Sequence, residues 1–96
     1  MDSHNSTLRA TVRGFVQGVG FRVFVRSAAW KLDIKGFVKN MPDGTLHVVA
    51  CGRKPALEQL LKAIWRGPAG ADVAAVDTEW SDGEDSGLCV PFEVKH

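Results

Sequence analysis

The sequence lacks any apolar run that approaches the roughly 20 residues a helix needs to cross a membrane. Its first segment, MDSHNSTLRA, is polar and has no apolar core of the kind found in signal peptides. The two cysteines, Cys51 and Cys89, lie far apart and form no CxxC pair. We therefore expect a cytoplasmic protein that makes no membrane contact and keeps both thiols reduced.

Common cofactor and metal motifs are also missing. The stretch GVGFRV, residues 18–23, begins like a dinucleotide-binding fingerprint, but Val23 stands where the third glycine belongs. No Gly-Lys-Ser/Thr follows it, which excludes a Walker A loop. The histidines His4, His47 and His96 are scattered, so we expect no metal site.

The charge is distributed unevenly along a chain of 96 residues. Residues 1–42 carry seven Lys or Arg and two acids, giving +5, whereas residues 43–96 carry five bases and nine acids, giving −4. This length predicts one domain over 1–96, with 1–6 as a flexible N-terminal segment. The basic first half favours an anion site, but without a basic tail it is too weak to indicate nucleic-acid binding.

The hydrophobic pattern predicts the order strand, helix, strand, strand, helix, strand and a short last strand. Residues 8–14 alternate like a half-buried strand, and 21–32 have helical spacing. A phase shift between Val73 and Val76 predicts a bulge, and Pro91 favours an edge position for the last strand. Because strand–helix–strand crossovers are right-handed, we expect an α+β fold: a ferredoxin-like α/β sandwich with two helices on one face of a mainly antiparallel sheet.

This topology brings the glycine-rich stretch GFVQGVGFR, residues 14–22, close to Asn40. The stretch follows the first strand, Asn40 ends the second, and parallel strands end at the same edge of a sheet. With one strand between them, the two are about 10 Å apart at the backbone. A small ligand could therefore contact both.

The glycine-rich stretch leads into a helix that has no Ser, Thr, Asp or Asn as N-cap. Gly18 and Gly20 allow the backbone amides to form a nest for an anion at the positive end of the helix. Arg22 opposes the helix dipole unless an anion lies beside it. On the residues alone, two interpretations stay open: an anion site, or an ordinary turn with Arg22 facing solvent.

Three segments together resemble the acylphosphatase family. VRGFVQGVGFR (12–22) is similar to its signature, GFVKNMPDG (36–44) to its second motif, and GPAGADVAAV (67–76) to the segment after its second helix. The resemblance implies the ferredoxin-like fold and hydrolysis of the carboxyl–phosphate bond of small acyl phosphates, with inorganic phosphate as product. It also implies that no metal or cofactor takes part, and we expect a monomer.

The resemblance also implies the site residues. Arg22 matches the phosphate-binding arginine, and Asn40 matches the asparagine that orients the attacking water. The phosphate cradle is implied to consist of the backbone amides of Gln17, Gly18, Val19, Gly20, Phe21 and Arg22.

Two positions depart from the family pattern, and three alternatives to an acylphosphatase stay open. Asp33 stands where the family often has glycine, and Phe37 where it often has tryptophan.

The similar N-terminal domain of hydrogenase-maturation carbamoyltransferases handles carbamoyl phosphate. In that domain proline often follows the arginine, whereas Val23 follows Arg22 here. A ferredoxin-like module that binds anions or nucleic acid without turnover is another alternative, and a structural or interaction protein that merely retains the loop is a third.

Overall fold

The computed structural model describes residues 5–84 and 87–96. Its elements are β1 (Asn5–Phe15), α1 (Phe21–Lys31), β2 (Lys35–Asn40), β3 (Leu46–Arg53), α2 (Lys54–Arg66), β4 (Asp72–Asp82) and β5 (Glu93–Lys95). The strands form one sheet in the order β4-β1-β3-β2-β5, antiparallel except for the β2–β5 pair. The predicted ferredoxin-like α/β sandwich is therefore confirmed, including the short last strand at an edge.

The N-terminal strand begins earlier than we expected. Asn5 pairs with Arg53 and Ser6 with Gly52, so these two residues belong to β1. The rest of that predicted segment, residues 1–4, lies outside the described residues.

The core lies between the helices and the face of the sheet that the alternating residues predicted. β1 buries Leu8, Ala10 and Val12, and β3 buries Leu46, Val48 and Ala50. The helical residues buried against them are Phe21, Val25 and Ala29 of α1 and Leu57, Leu60 and Ile64 of α2. None of the helices in the described part of the chain is long and apolar enough to cross a membrane.

The predicted bulge is present in β4, opposite Gly14. Arg13 pairs with Ala75 but Gly14 pairs with Val73, which leaves Ala74 as the extra residue. Gly14 has a φ of 126°, and a Cβ there would lie 2.2 Å from the carbonyl oxygen of Asp72. The first glycine of the glycine-rich stretch thus serves the sheet, where the two strands come unusually close.

Asp33 closes α1 in a conformation that normally favours glycine. Its φ is 58°, and its N–H donates to Trp30 O while the N–H of Ile34 donates to Ala29 O. This pair of bonds is the Schellman motif, with Asp33 at the left-handed position. Asp33, where the family often has glycine, therefore still forms the type of helix end that glycine normally forms.

A disulfide joins Cys51 and Cys89, so our expectation of reduced thiols was wrong. Lys35 of β2 pairs with Cys51 of β3 and also forms a bridge with Pro91, so the segment before β5 runs beside β2, one strand away from Cys51. The Cα atoms of the two cysteines are 5.7 Å apart, within the normal range for a disulfide. A contact between residues separated by 38 positions depends on tertiary pairing that the cysteine spacing does not reveal.

Removal of the disulfide should lower stability without changing the fold. For the loop between cysteines 38 residues apart, the chain-entropy relation gives a loss of about 3–4 kcal/mol in the free energy of unfolding. Urea unfolding of Cys89→Ser, compared with the oxidised wild type, measures this loss. Reductant should destabilise the wild type by a similar amount and leave Cys89→Ser unaffected; a fully reduced wild type that is as stable as the oxidised one would contradict the assignment.

The turn between β2 and β3 is held by one carboxylate. Asp43 Oδ1 accepts hydrogen bonds from the Thr45 hydroxyl at 2.6 Å and the Thr45 N–H at 3.0 Å. These two bonds, with a smaller contribution from the charge of Arg13, lower the pKa of Asp43 below its ordinary value. The ionised carboxylate is therefore more stable in the folded than in the unfolded chain.

The contribution of Asp43 to stability should depend on pH. A lowered folded pKa stabilises the protein above the unfolded pKa, near 4, and this stabilisation is lost as the pH falls through the folded value. We expect the wild type to be more stable than Asp43→Asn at neutral pH, with a difference that narrows in acid. Urea unfolding of both proteins across the acid range checks this, and a difference that stays constant with pH would contradict it.

Candidate active site

The loop between β1 and α1 leaves the first amides of the helix without a side-chain cap. Gly20 is the N-cap residue with a φ of 75°, and Gly18 has a φ of 77°. A Cβ on either glycine would meet no atom within 4 Å, so the left-handed backbone and not lack of space explains these glycines. The open amides lie at the positive end of the α1 dipole, which attracts anions.

Arg22 lies in the first turn of α1 and is anchored by the end of the chain. Its Nη1 donates to Lys95 O at 3.3 Å and lies 3.2 Å from His96 Nδ1. Among the described residues no group accepts a hydrogen bond from its Nε or Nη2. Arg22 is thus held in position from one side, with further donors of its planar fork available to an anion.

Asn40 ends β2, and its side-chain oxygen is buried. Within residues 5–84 and 87–96, no donor bonds to Asn40 Oδ1. Buried polar atoms are normally paired, so an unpaired oxygen in a cleft indicates a ligand or a water as partner. Because β1 and β2 flank β3, the predicted proximity of Asn40 to the glycine-rich loop is confirmed.

Loop, helix and strand ends together enclose a cleft of about 250 Å³. Its lining residues are Val16, Gly18, Gly20, Phe21, Arg22, Val23, Arg26, Asn40, Val94 and His96. In the part of the chain that the structure describes, two arginines and a histidine line this cleft and no Asp or Glu does. The size and the charge suit a small anion.

Gln17 lies outside the lining and ties the loop to the β2–β3 turn. Its Nε2 donates to Met41 O at 2.9 Å and to Thr45 O at 3.0 Å. Val19 is also outside the lining and packs against the core. The implied phosphate-binding role of the Gln17 and Val19 amides stays a prediction, whereas the Gln17 side chain fixes the loop relative to the turn that follows Asn40.

The cleft contains residues that the sequence did not single out. Arg26 lies four residues after Arg22, a spacing that places both on one face of a helix and could have revealed it. Val94 and His96 reach the cleft because β5 pairs in parallel with β2, Lys39 being opposite Lys95. No local sequence pattern indicates that pairing.

The described residues contain no group of three or more His, Cys, Asp or Glu side chains that could hold a metal ion.

Known proteins resemble the chain over most of its length. The Acylphosphatase family model matches residues 8–93. An acylphosphatase of Thermus thermophilus is 47% identical over 81 residues, which cover 84% of this chain and 90% of the relative. An acylphosphatase of Salinibacter ruber is 47% identical over 77 residues, covering 80% of this chain and 81% of the relative.

The fold agrees with these similarities. The crystal structure of acylphosphatase from Bacillus subtilis superposes with a TM-score of 0.90 at 32% identity, covering 95% of this chain and 99% of the other. The structure of an acylphosphatase from Coxiella burnetii superposes with a TM-score of 0.85 at 37% identity, covering 96% and 94% of the two chains. Sequence and structure therefore agree that the chain belongs to the acylphosphatase family of enzymes.

Proposed function

We propose that this protein hydrolyses the carboxyl–phosphate bond of small acyl phosphates without a metal ion, releasing a carboxylate and inorganic phosphate. The observation that carries the proposal is one small cleft lined by Gly18, Gly20, Arg22 and Asn40, in which Asn40 Oδ1 is buried and unpaired. The loop amides and Arg22 hold the phosphate, and Asn40 orients the attacking water. The expectations of a monomeric, cytoplasmic protein stay predictions.

Phosphate binding follows from the charges at the start of α1. Uncapped amides and the helix dipole attract the phosphoryl oxygens, while Arg22 offers a permanently charged, planar fork. With an anion between amides and guanidinium, Arg22 no longer opposes the dipole. The contacts of Arg22 with Lys95 O and His96 favour a preorganised guanidinium, which loses less conformational entropy on binding.

Water orientation by Asn40 needs no base on the protein. The amide oxygen accepts a hydrogen bond from water, but an amide cannot take up a proton at neutral pH. Phosphoryl transfer has a loose transition state, so positioning and charge stabilisation account for most of the catalysis. We infer that a phosphate oxygen of the substrate accepts the proton from the water.

The balanced reaction has few steps. The water oxygen attacks phosphorus, the bond between phosphorus and the acyl oxygen breaks, and its electron pair leaves with the carboxylate. Both protons of the water end on inorganic phosphate. Because a carboxylate is already a stable anion, the leaving group needs no general acid, in keeping with the lack of carboxyl groups along the described lining.

Substitution of either proposed residue should abolish most of the activity. Arg22→Gln loses charge stabilisation of the phosphoryl group and Asn40→Ala loses the water contact, so we expect kcat/KM to fall roughly a hundredfold or more in each. The measurement is hydrolysis of benzoyl phosphate with excess chelator. Turnover by the wild type should survive chelation.

Matched variants separate these losses from general damage. Arg66→Gln, in the last turn of α2, and Asn5→Ala, at the start of β1, change the same residue types outside the cleft and should retain activity. A folded wild type that binds phosphate but does not hydrolyse benzoyl phosphate would favour an anion-binding module and overturn the proposal. Activity that disappears with chelator would overturn the metal-free mechanism.

A further inference from the structure

Arg26 is a second arginine in the cleft, and phosphate binding by the loop and Arg22 does not require it. It follows Arg22 by four residues, about 6 Å along the axis of α1, and both side chains line the cleft. Residues at this spacing share one face of a helix. The cleft therefore extends past the phosphate position along α1.

The guanidinium of Arg26 is held by Trp30, one further turn along the helix. Its central carbon lies 4.8 Å from the centroid of the Trp30 ring, a cation–π contact. Trp30 is itself fixed, because its Nε1 donates to Phe92 O at 3.0 Å, just before β5. This contact fixes the Arg26 guanidinium next to the Trp30 ring.

Arg26 has unmet hydrogen-bonding capacity. Its Nε is buried without an acceptor, and it forms no ion pair within residues 5–84 and 87–96. The cation–π contact engages the face of the Trp30 ring and supplies no hydrogen-bond acceptor to Nε. A buried, unpaired donor of a charged group is costly, and no acidic side chain is found among the described residues that line the cleft, so the Nε of Arg26 indicates an anionic partner.

We propose that Arg26 selects acyl phosphates whose acyl group carries a second anionic group, a carboxylate or a phosphate. This inference rests on the proposed function, with the reacting phosphate at Arg22 and the loop. The acyl group then runs along α1 and places its second anion at Arg26. A short diacid monoacyl phosphate such as succinyl phosphate has about the required length, whereas butanoyl phosphate has the same chain length without the second charge.

The test compares kcat/KM for succinyl phosphate with kcat/KM for butanoyl phosphate. One charge-assisted contact in a partly exposed cleft should give the wild type a preference of roughly three- to tenfold for succinyl phosphate at low salt. In Arg26→Gln the ratio should fall close to one, while Arg26→Lys should keep part of it. Any effect on rate that is common to both substrates cancels in the ratio, so a purely structural role of Arg26 would leave the ratio unchanged.

Two further measurements keep the test independent of how well Arg26→Gln folds. Arg66→Gln removes an equal charge outside the cleft and should retain the wild-type ratio. The wild-type ratio should also fall as salt is raised from about 0.01 M to about 1 M, because screening weakens the second contact.

The outcomes distinguish this inference from the proposed function. If the wild type hydrolyses both substrates with a ratio near one, or if Arg26→Gln retains the wild-type ratio, the role of Arg26 is overturned and the proposed function stands. Equal losses on both substrates in Arg26→Gln also leave the ratio unchanged; they would mean that Arg26 acts on the fold or on the reacting phosphate, and either result overturns selectivity. If the wild type hydrolyses neither substrate, both proposals fail.

Discussion

The open N-terminus of α1 is the constraint on which the site depends. A helix that begins with uncapped amides and places an arginine in its first turn combines two features that are unfavourable alone and favourable around an anion. Gly18 and Gly20 allow the left-handed backbone that keeps these amides open. The first turn of α1 contains no acidic residue, which would stabilise the helix start but would repel an anion.

The sheet supplies the other half of the site by connecting distant parts of the chain. β1 and β2 end at the same edge on either side of β3, which sets the glycine-rich loop near Asn40. Gln17 then fixes the loop to the β2–β3 turn through two carbonyl oxygens. β5 pairs with β2 and brings Lys95 and His96 to Arg22, and the disulfide holds the segment that precedes β5 against β3. The elements at this edge of the domain are thus held together by contacts between residues that are distant in sequence.

The sequence predicted those features that local patterns determine. Alternating and helically spaced apolar residues indicated the strands and helices, and the right-handedness of strand–helix–strand crossovers indicated the topology of the sheet. The phase shift near Val73 indicated the bulge opposite Gly14. The Cys51–Cys89 disulfide and the place of His96 depend on the pairing of a three-residue strand, which has almost no pattern of its own. The spacing between Arg22 and Arg26 could have indicated that both lie on one face of α1. Only the structure shows that both residues line the same cleft.

Binding of inorganic phosphate, followed by amide NMR shifts, tests the anion site at the start of α1 without requiring turnover. We expect saturable shifts that are largest at the amides of Gly18, Gly20 and Arg22 and at the side-chain amide of Asn40. Thr11 and His47, which pair with each other in the β1–β3 ladder and lie outside the cleft, should be unaffected. The absence of saturable shifts, or shifts centred on those two strand residues, would contradict an anion site at the start of α1.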